Sequence, residues 1–265
     1  MREEPGPPVD PARELVRKLY LPYAWGVFGP ITLVQTLFWG VSAVLSSKLI
    51  SPNVGFHCGT AWSWLLCRAN FSPVKLVGRE NADPRQSYVI MSNHQSHFDV
   101  LAFYSSWGRQ FRWVIKEELR KTPGLGWGCE AVGHIFIDRS DRDKAIASLN
   151  AARPLLTGGT SVMFFPEGHR SPDGRLQEFK KGGFMMALDL GLPILPVSIS
   201  GTHKILPGGK LQLQPGKVRI SVHPPIDVTA YGREKRDELM ADVREAIASG
   251  LSPYERGESE AEEQA

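Results

Sequence analysis

The sequence predicts an α/β layered fold, a largely parallel mixed sheet flanked by helices, with a membrane-associated helical hairpin at its N-terminus. Two observations carry the sheet. From about residue 74 to 225, short apolar runs alternate with helical stretches, the pattern of βα units and a parallel sheet. Residues that can do chemistry follow directly on several of those runs, as expected where ligands collect at the carboxyl ends of strands. A third observation carries the hairpin. Between Lys18 and Lys48 there is no charged residue, a run long enough to cross a bilayer.

In chain order, residues 1–18 are Pro-rich and charged and are expected to be a flexible N-terminus. Residues 19–69 are expected to be the membrane-anchoring segment. Its second apolar stretch, Val54 to Cys67, carries Trp62 and Trp64, is short for a span and ends at Arg68. A single transmembrane helix fits the length of the first run. A shallow hairpin fits Pro30, Pro52, the short second run and the tryptophans, which prefer the interface. A soluble core helix fits neither the length nor the aromatic flanks. The hairpin also returns Arg13, Arg17, Lys18 and Arg68 to one side, which the positive-inside rule makes the cytoplasmic face of the inner or plasma membrane.

Residues 70–250 hold the main domain. The expected strands are Tyr88–Ser92, Phe111–Ile115, His134–Asp138, Ser161–Phe165, Ile194–Ile199 and Val218–His223, with helical stretches at about 99–107, 140–153 and 182–190. Pro193 and Pro196 mark the fifth strand as an edge strand, because proline cannot donate to a ladder. Glu234 to Ser249 reads as a packing helix with Leu239, Val243, Ala246 and Ile247 as its apolar stripe. Residues 251–265 read as a disordered tail, since Glu255 to Ala265 are acidic and lack large apolar groups.

Hydrophobic residues make up 42% of the chain, enough for a core, and the net charge of +3 does not suggest a nucleic-acid binder. The basic excess is better read locally, as anion sites and a surface that favours acidic lipid. Cys58, Cys67 and Cys129 are too few and too widely spaced for a disulfide framework or a zinc pattern.

The chemistry concentrates in Asn93-His94-Gln95-Ser96-His97-Phe98-Asp99. A histidine oriented by a carboxylate can take a proton from a hydroxyl near neutral pH. Five residues apart on one helix would place the two on different faces. They meet only if His94 sits in the turn and Asp99 in the first turn of the next helix, with Ser96 as its N-cap. The competing reading is a plain capping box, with Asp99 occupied by backbone N–H groups. Three more segments follow in order. Gly133 to Arg139 is a strand ending in an arginine suited to a phosphate. Phe164 to Ser171 puts an acid, a glycine, a histidine and an arginine after a strand. Gly191 to Ile199 is the proline-broken strand.

This ordered set resembles the 1-acylglycerol-3-phosphate acyltransferases: N-H-x4-D at Asn93 to Asp99, G-x-I-F-I-D-R at Gly133 to Arg139, F-P-E-G-x-R-S at Phe165 to Ser171, and a V-P-V-like segment at Leu195-Pro196-Val197. Lys116-Glu117-Glu118-Leu119 with Pro123 resembles a further family stretch, and the likeness spans roughly residues 70 to 220. One departure is His169, where the family usually has threonine. The resemblance implies acyl transfer from an acyl thioester, acyl-CoA or acyl-carrier protein, to the sn-2 hydroxyl of lysophosphatidate. It implies Arg139 and Lys116 as the phosphate handle. It also places Glu167, Gly168, Arg170 and Ser171 around the acceptor, with Asn93 fixing the turn, and an N-terminal two-helix membrane anchor.

His94 is then the general base and Asp99 its orienting partner, with direct attack by the acceptor hydroxyl. No Gly-x-Ser-x-Gly elbow is present to nominate a serine nucleophile. Backbone N–H groups near Gly168 are candidates for the oxyanion hole. No metal or cofactor is required, because the thiolate is already a good leaving group. His97 reads as structural. The alternatives are another lyso-lipid or glycerol 3-phosphate as acceptor, a transacylase, a metal-dependent hydrolase using His94, His97 and Asp99, and a non-catalytic lipid-binding membrane protein.

Overall fold

The computed structural model describes residues 11–138, 142–208 and 212–258. Its N-terminal part is a helical hairpin. Helix α1 (Pro11–Tyr23) and helix α2 (Gly29–Leu49) run together through a π-helical stretch, Ala24–Phe28. The wider turn takes up the missing N–H and the ring of Pro30. Ser51 then caps α3 (Pro52–Ala69), its Oγ accepting from the Val54 N–H at 3.3 Å. Tyr20 and Tyr23 donate to Asn70 Oδ1 and the Ala69 carbonyl, closing the open end of the hairpin. The helix begins at Pro11, so residues 11–18 belong to the hairpin and not to a loose N-terminus.

Among the described residues the sheet has seven strands: β1 (Val74–Val77), β2 (Val89–Ser92), β3 (Phe111–Lys116), β4 (Ile135–Ile137), β5 (Ser161–Phe164), β6 (Ile194–Ser200) and β7 (Val218–Val222). Their order is β1-β7-β6-β2-β5-β3-β4, and only the β6–β7 pair is antiparallel. Strand β1 was not foreseen, since its four residues with an exposed lysine give no clear period. Strand β6 is interior, not the edge strand its prolines predicted. Each proline still offers its carbonyl: Pro193 accepts from the Val89 N–H and Pro196 from the His223 N–H, both at 3.0 Å.

The strands alternate their side chains between two cores. Ile90, Met163 and Leu195 face α4 (Phe98–Trp107) and the hairpin. Phe56 of α3 reaches this core, 4.7 Å from the Tyr104 ring and 5.2 Å from Phe111. Val89, Met91, Val162 and Ile194 face the other way. Helix α5 (Leu125–Ala131) seats against α2, and α6 (Arg142–Ala152) packs on β4. Helix α7 (Gly182–Leu190) and helix α8 (Arg236–Ser249) cover the second core with Phe184, Leu239, Val243 and Ile247. The chain does not end loosely at residue 251. A short α9 (Pro253–Arg256) folds back with a full capping box between Ser252 and Glu255, and Glu255 is buried.

This topology fixes where a site can form. The chain leaves β2 through α4 toward β3, and leaves β5 through α7 toward β6. These crossovers run in opposite directions, so their right-handedness places α4 and α7 on opposite faces. Strands β2 and β5 are neighbours, and a crevice opens between their carboxyl ends.

Candidate active site

His94 leaves the end of β2 at that crevice, and Asp99 lies in the first turn of α4. His94 Nδ1 is 2.7 Å from Asp99 Oδ2. The same oxygen accepts from the backbone N–H groups of Gln95 at 2.7 Å and Ser96 at 2.9 Å. Its partner Oδ1 accepts from the Thr202 hydroxyl. A carboxylate so surrounded can only accept, so Nδ1 carries the imidazole proton and Nε2 is left with a lone pair. Asp99 thus pairs with His94 and also accepts from backbone N–H groups, but no full capping box forms: the N-cap of α4 is His97, without a side-chain cap bond, and not the expected Ser96. Ser96 Oγ also accepts from the Phe98 N–H at 3.0 Å and donates to the Leu206 carbonyl at 2.6 Å.

The loop that holds His94 is clamped by the segment after β5. Glu167 Oε1 accepts from the His94 N–H at 2.8 Å, and the Ser171 N–H donates to the His94 carbonyl at 2.7 Å. The His94 ring lies on Phe165, centroids 3.7 Å apart. Asn93 is buried, its amide bonded both ways to the backbone of Ile199 at 2.8 Å, so its side chain continues the β2–β6 ladder.

Asn93 thus holds the turn, and Glu167 and Ser171, both expected around the acceptor, also face inward. Asn93, Glu167 and Ser171 are 1%, 1% and 0% exposed, and their polar atoms hold the loops together. Ser171 Oγ donates to Asp173 Oδ1 and accepts from the Gly174 N–H. Burial pushes the Glu167 carboxyl up to about 8, against its two backbone donors, His94 and Gln177, which favour the charged form. Gly168 takes φ +78°, where a Cβ would meet Lys180 Cδ at 2.9 Å. Its N–H closes a turn onto the Phe165 carbonyl, so Gly168 does not itself supply the expected oxyanion donor. Arg170 is half-buried, whereas His97 and His169 are exposed.

Lys116 ends β3 in register with Ile137, two residues before Arg139. Lys116 therefore belongs to this edge of the sheet, and Arg139 lies outside the described residues. A groove of about 820 Å³ opens beside Phe165 and Gly168, lined by Lys180, Lys181, Arg153 and Arg233. Among the described residues no three His, Cys, Asp or Glu side chains converge as a metal site.

Sequence reasoning missed Thr202, Gln95, Phe165 and Glu255. Thr202 stands two residues past the end of β6, as His94 does past β2, so the strand-end rule that selected His94 would have found it. Glu255 stands in Ser252-Pro253-Tyr254-Glu255, a capping-box signature with proline at the first helical position.

Residues 73–200 match the Acyltransferase family. A 1-acyl-sn-glycerol-3-phosphate acyltransferase from Chlamydomonas reinhardtii is 37% identical over 87% of this chain and 68% of its own length. The chloroplastic one from Brassica napus is 38% identical over 69% of this chain, which spans only 52% of that relative. The crystal structure of the 1-acyl-sn-glycerophosphate (LPA) acyltransferase PlsC from Thermotoga maritima superposes with a TM-score of 0.76 at 31% identity, covering 90% of this chain and 95% of that one. On this likeness of sequence and fold, the chain belongs to the 1-acyl-sn-glycerol-3-phosphate acyltransferase family.

Proposed function

We propose that this enzyme moves a fatty acyl group from an acyl thioester to the sn-2 hydroxyl of lysophosphatidate, giving phosphatidate. The observation that carries the reading is the 2.7 Å bond from His94 Nδ1 to Asp99, which leaves Nε2 as the acceptor at the crevice between β2 and β5. The acceptor oxygen attacks the thioester carbonyl as its proton passes to His94 Nε2. The carbon–sulfur bond then breaks and the departing thiolate takes that proton. Asp99 fixes the tautomer and stabilises the imidazolium formed in between. General-base catalysis of this kind contributes about 10²–10⁴-fold in rate.

Arg139 and Lys116 hold the acceptor phosphate, and Arg170 with the cations of the neighbouring groove adds positive charge for anionic substrates. The donor is acyl-CoA or acyl-carrier protein, and the reaction uses no metal or other cofactor. The enzyme works at the cytoplasmic face of a membrane. Support for the membrane comes from the hairpin. One helix, Glu14–Leu49, is long and apolar, with mean hydropathy 1.5 in its most apolar window. Leu33, Val34 and Phe38 stand 60–64% exposed along it.

The test is thiol release from a long-chain acyl-CoA by the detergent-purified protein, with and without lysophosphatidate, beside His94→Ala. Release that needs lysophosphatidate and is lost in the variant is expected. Release that persists in His94→Ala overturns the mechanism, and release indifferent to lysophosphatidate overturns the acceptor.

A further inference from the structure

Glu255 lies far outside residues 73–200, the part of the chain that matches the family, and it is 3% exposed. Its side chain is a hub. Oε2 accepts from the Ser200 hydroxyl at 2.6 Å and from the Ser252 N–H and hydroxyl at 3.0 and 2.9 Å. Oε1 accepts from the Gly201 N–H at 2.9 Å and from Gln95 Nε2 at 3.0 Å. Burial alone would push this carboxyl up, but the donors outweigh burial and hold it below the ordinary carboxylate range.

Two of these partners lead straight to the reacting pair. Gln95 follows His94 in the chain, and its N–H donates to Asp99 Oδ2 at 2.7 Å. Its side chain also donates to the Gly174 carbonyl at 3.0 Å and lies 3.3 Å from the Thr202 hydroxyl. Gly201, at φ +93°, places Thr202, whose hydroxyl donates to Asp99 Oδ1. Asp99 is thus approached on both oxygens by groups that Glu255 holds. The segment around Glu255 also ties down the loop after β5. The Leu176 N–H donates to the Glu255 carbonyl at 2.8 Å, and the Tyr254 hydroxyl to the Asp173 carbonyl at 2.9 Å.

We propose that Glu255 is a positioning residue for the His94–Asp99 pair, acting through Gln95 on one oxygen of Asp99 and through Gly201–Thr202 on the other. It touches no substrate, and the proposal rests on the reading of His94 as the base. The α9 clasp sets the direction in which Asp99 holds the imidazole. Small errors in that direction are costly, since a misplacement of about 1 Å can lower a rate on the order of a hundredfold.

The test measures kcat, KM for lysophosphatidate and thermal unfolding for Glu255→Ala, Glu255→Gln, Gln95→Ala and the double variant Gln95→Ala/Glu255→Ala. His94→Ala is the control for the base. In Glu255→Ala, kcat falls about tenfold to a hundredfold with KM unchanged. Glu255→Gln, which keeps an acceptor oxygen for Gln95 or Ser200, recovers most of the loss. The double variant falls short of the product of the single losses, because Glu255 acts partly through Gln95. If Glu255→Ala does not fold, Gln95→Ala alone decides. A folded Gln95→Ala protein with wild-type kcat overturns the proposal, and so do multiplicative losses in the double variant. An active His94→Ala protein instead overturns the base assignment on which the proposal rests.

Discussion

The imidazole of His94 lies flat on the ring of Phe165, with the two planes 4° apart. Trp113 backs Phe165 from 5.2 Å, so the imidazole rests on an aromatic layer rooted in the sheet. An aromatic pair contributes about 0.5–1.5 kcal/mol beyond its area. Phe165→Ala is expected to lower kcat by roughly twofold to tenfold with little change in KM, and Phe165→Tyr to stay near wild type. Steady-state kinetics of the two variants check this, and equal losses in both would remove the stack from the mechanism.

His94→Ala and Asp99→Asn should each cost about 10²–10⁴-fold in kcat. His94→Ala should still fold, losing only the modest stability of the Phe165 stack and the Asp99 bond, because the clamp from Glu167 and Ser171 grips the backbone at this position. Asp99→Asn should also lose stability, since Gln95, Ser96 and Thr202 all donate to that carboxylate. Thermal unfolding alongside activity separates the two effects.

Glu167 gives the fold a pH dependence of known sign. Its folded carboxyl holds a proton up to about 8, whereas the unfolded chain releases it near 4.5. The stability it contributes is therefore full at low pH and is lost as pH rises through about 8. His134, lowered to about 3 by burial, then by the charge of Arg112, acts in the opposite sense, but only below the ordinary value of 6.5. From pH 6.5 to 8 the melting temperature should fall in the wild type and fall less in Glu167→Gln. Parallel slopes in the two proteins would assign the effect to another group.

Arg139→Ala is expected to raise KM for a phosphate-bearing acceptor about tenfold or more, the scale of a lost charge-assisted hydrogen bond. The KM for the donor should not move. An unchanged acceptor KM would place the phosphate elsewhere on the sheet edge.

Membrane attachment is best tested by point changes. Deleting residues 1–69 would strip Phe56, Leu66 and Cys67 from the core, so loss of membrane binding would be confounded with unfolding. Leu33→Glu with Phe38→Glu alters two exposed positions instead. Each apolar side chain contributes about 1.5–3 kcal/mol when buried, so co-sedimentation with phospholipid vesicles should drop sharply while activity in detergent persists. A variant that pellets like the wild type would shift the anchor to another surface.

Much of this was readable in the chain. The strand ends that carry His94 and Glu167, the turn that brings His94 to Asp99, and the apolar hairpin all follow from local pattern. What the sequence did not show in the loops has one cause. A polar residue in a loop after a strand shows its donors and acceptors in the sequence, but not whether they face a ligand or the backbone. Asn93 and Glu167 bond the backbone and Ser171 bonds Asp173 and the Gly174 N–H, because buried loops must satisfy their own polar groups. Glu255 was hidden for a second reason. Its partners Gln95 and Ser200 are 160 and 55 residues away, and a few acidic residues at a chain end look like solvent-exposed charge until that distance is closed.

Gly40 meets Gly124 so closely that a methyl on Gly40 would collide with the Gly124 carbonyl. Helix α2 is thereby seated on α5 without room to slide, while Phe56 roots α3 in the core. The apolar hairpin is thereby tied to the sheet that carries His94, with Leu33, Val34 and Phe38 exposed along it. With that face in lipid, as proposed above, His94 would stand at one fixed distance from the bilayer, and the depth at which an acceptor holds its hydroxyl would become a ground of selection.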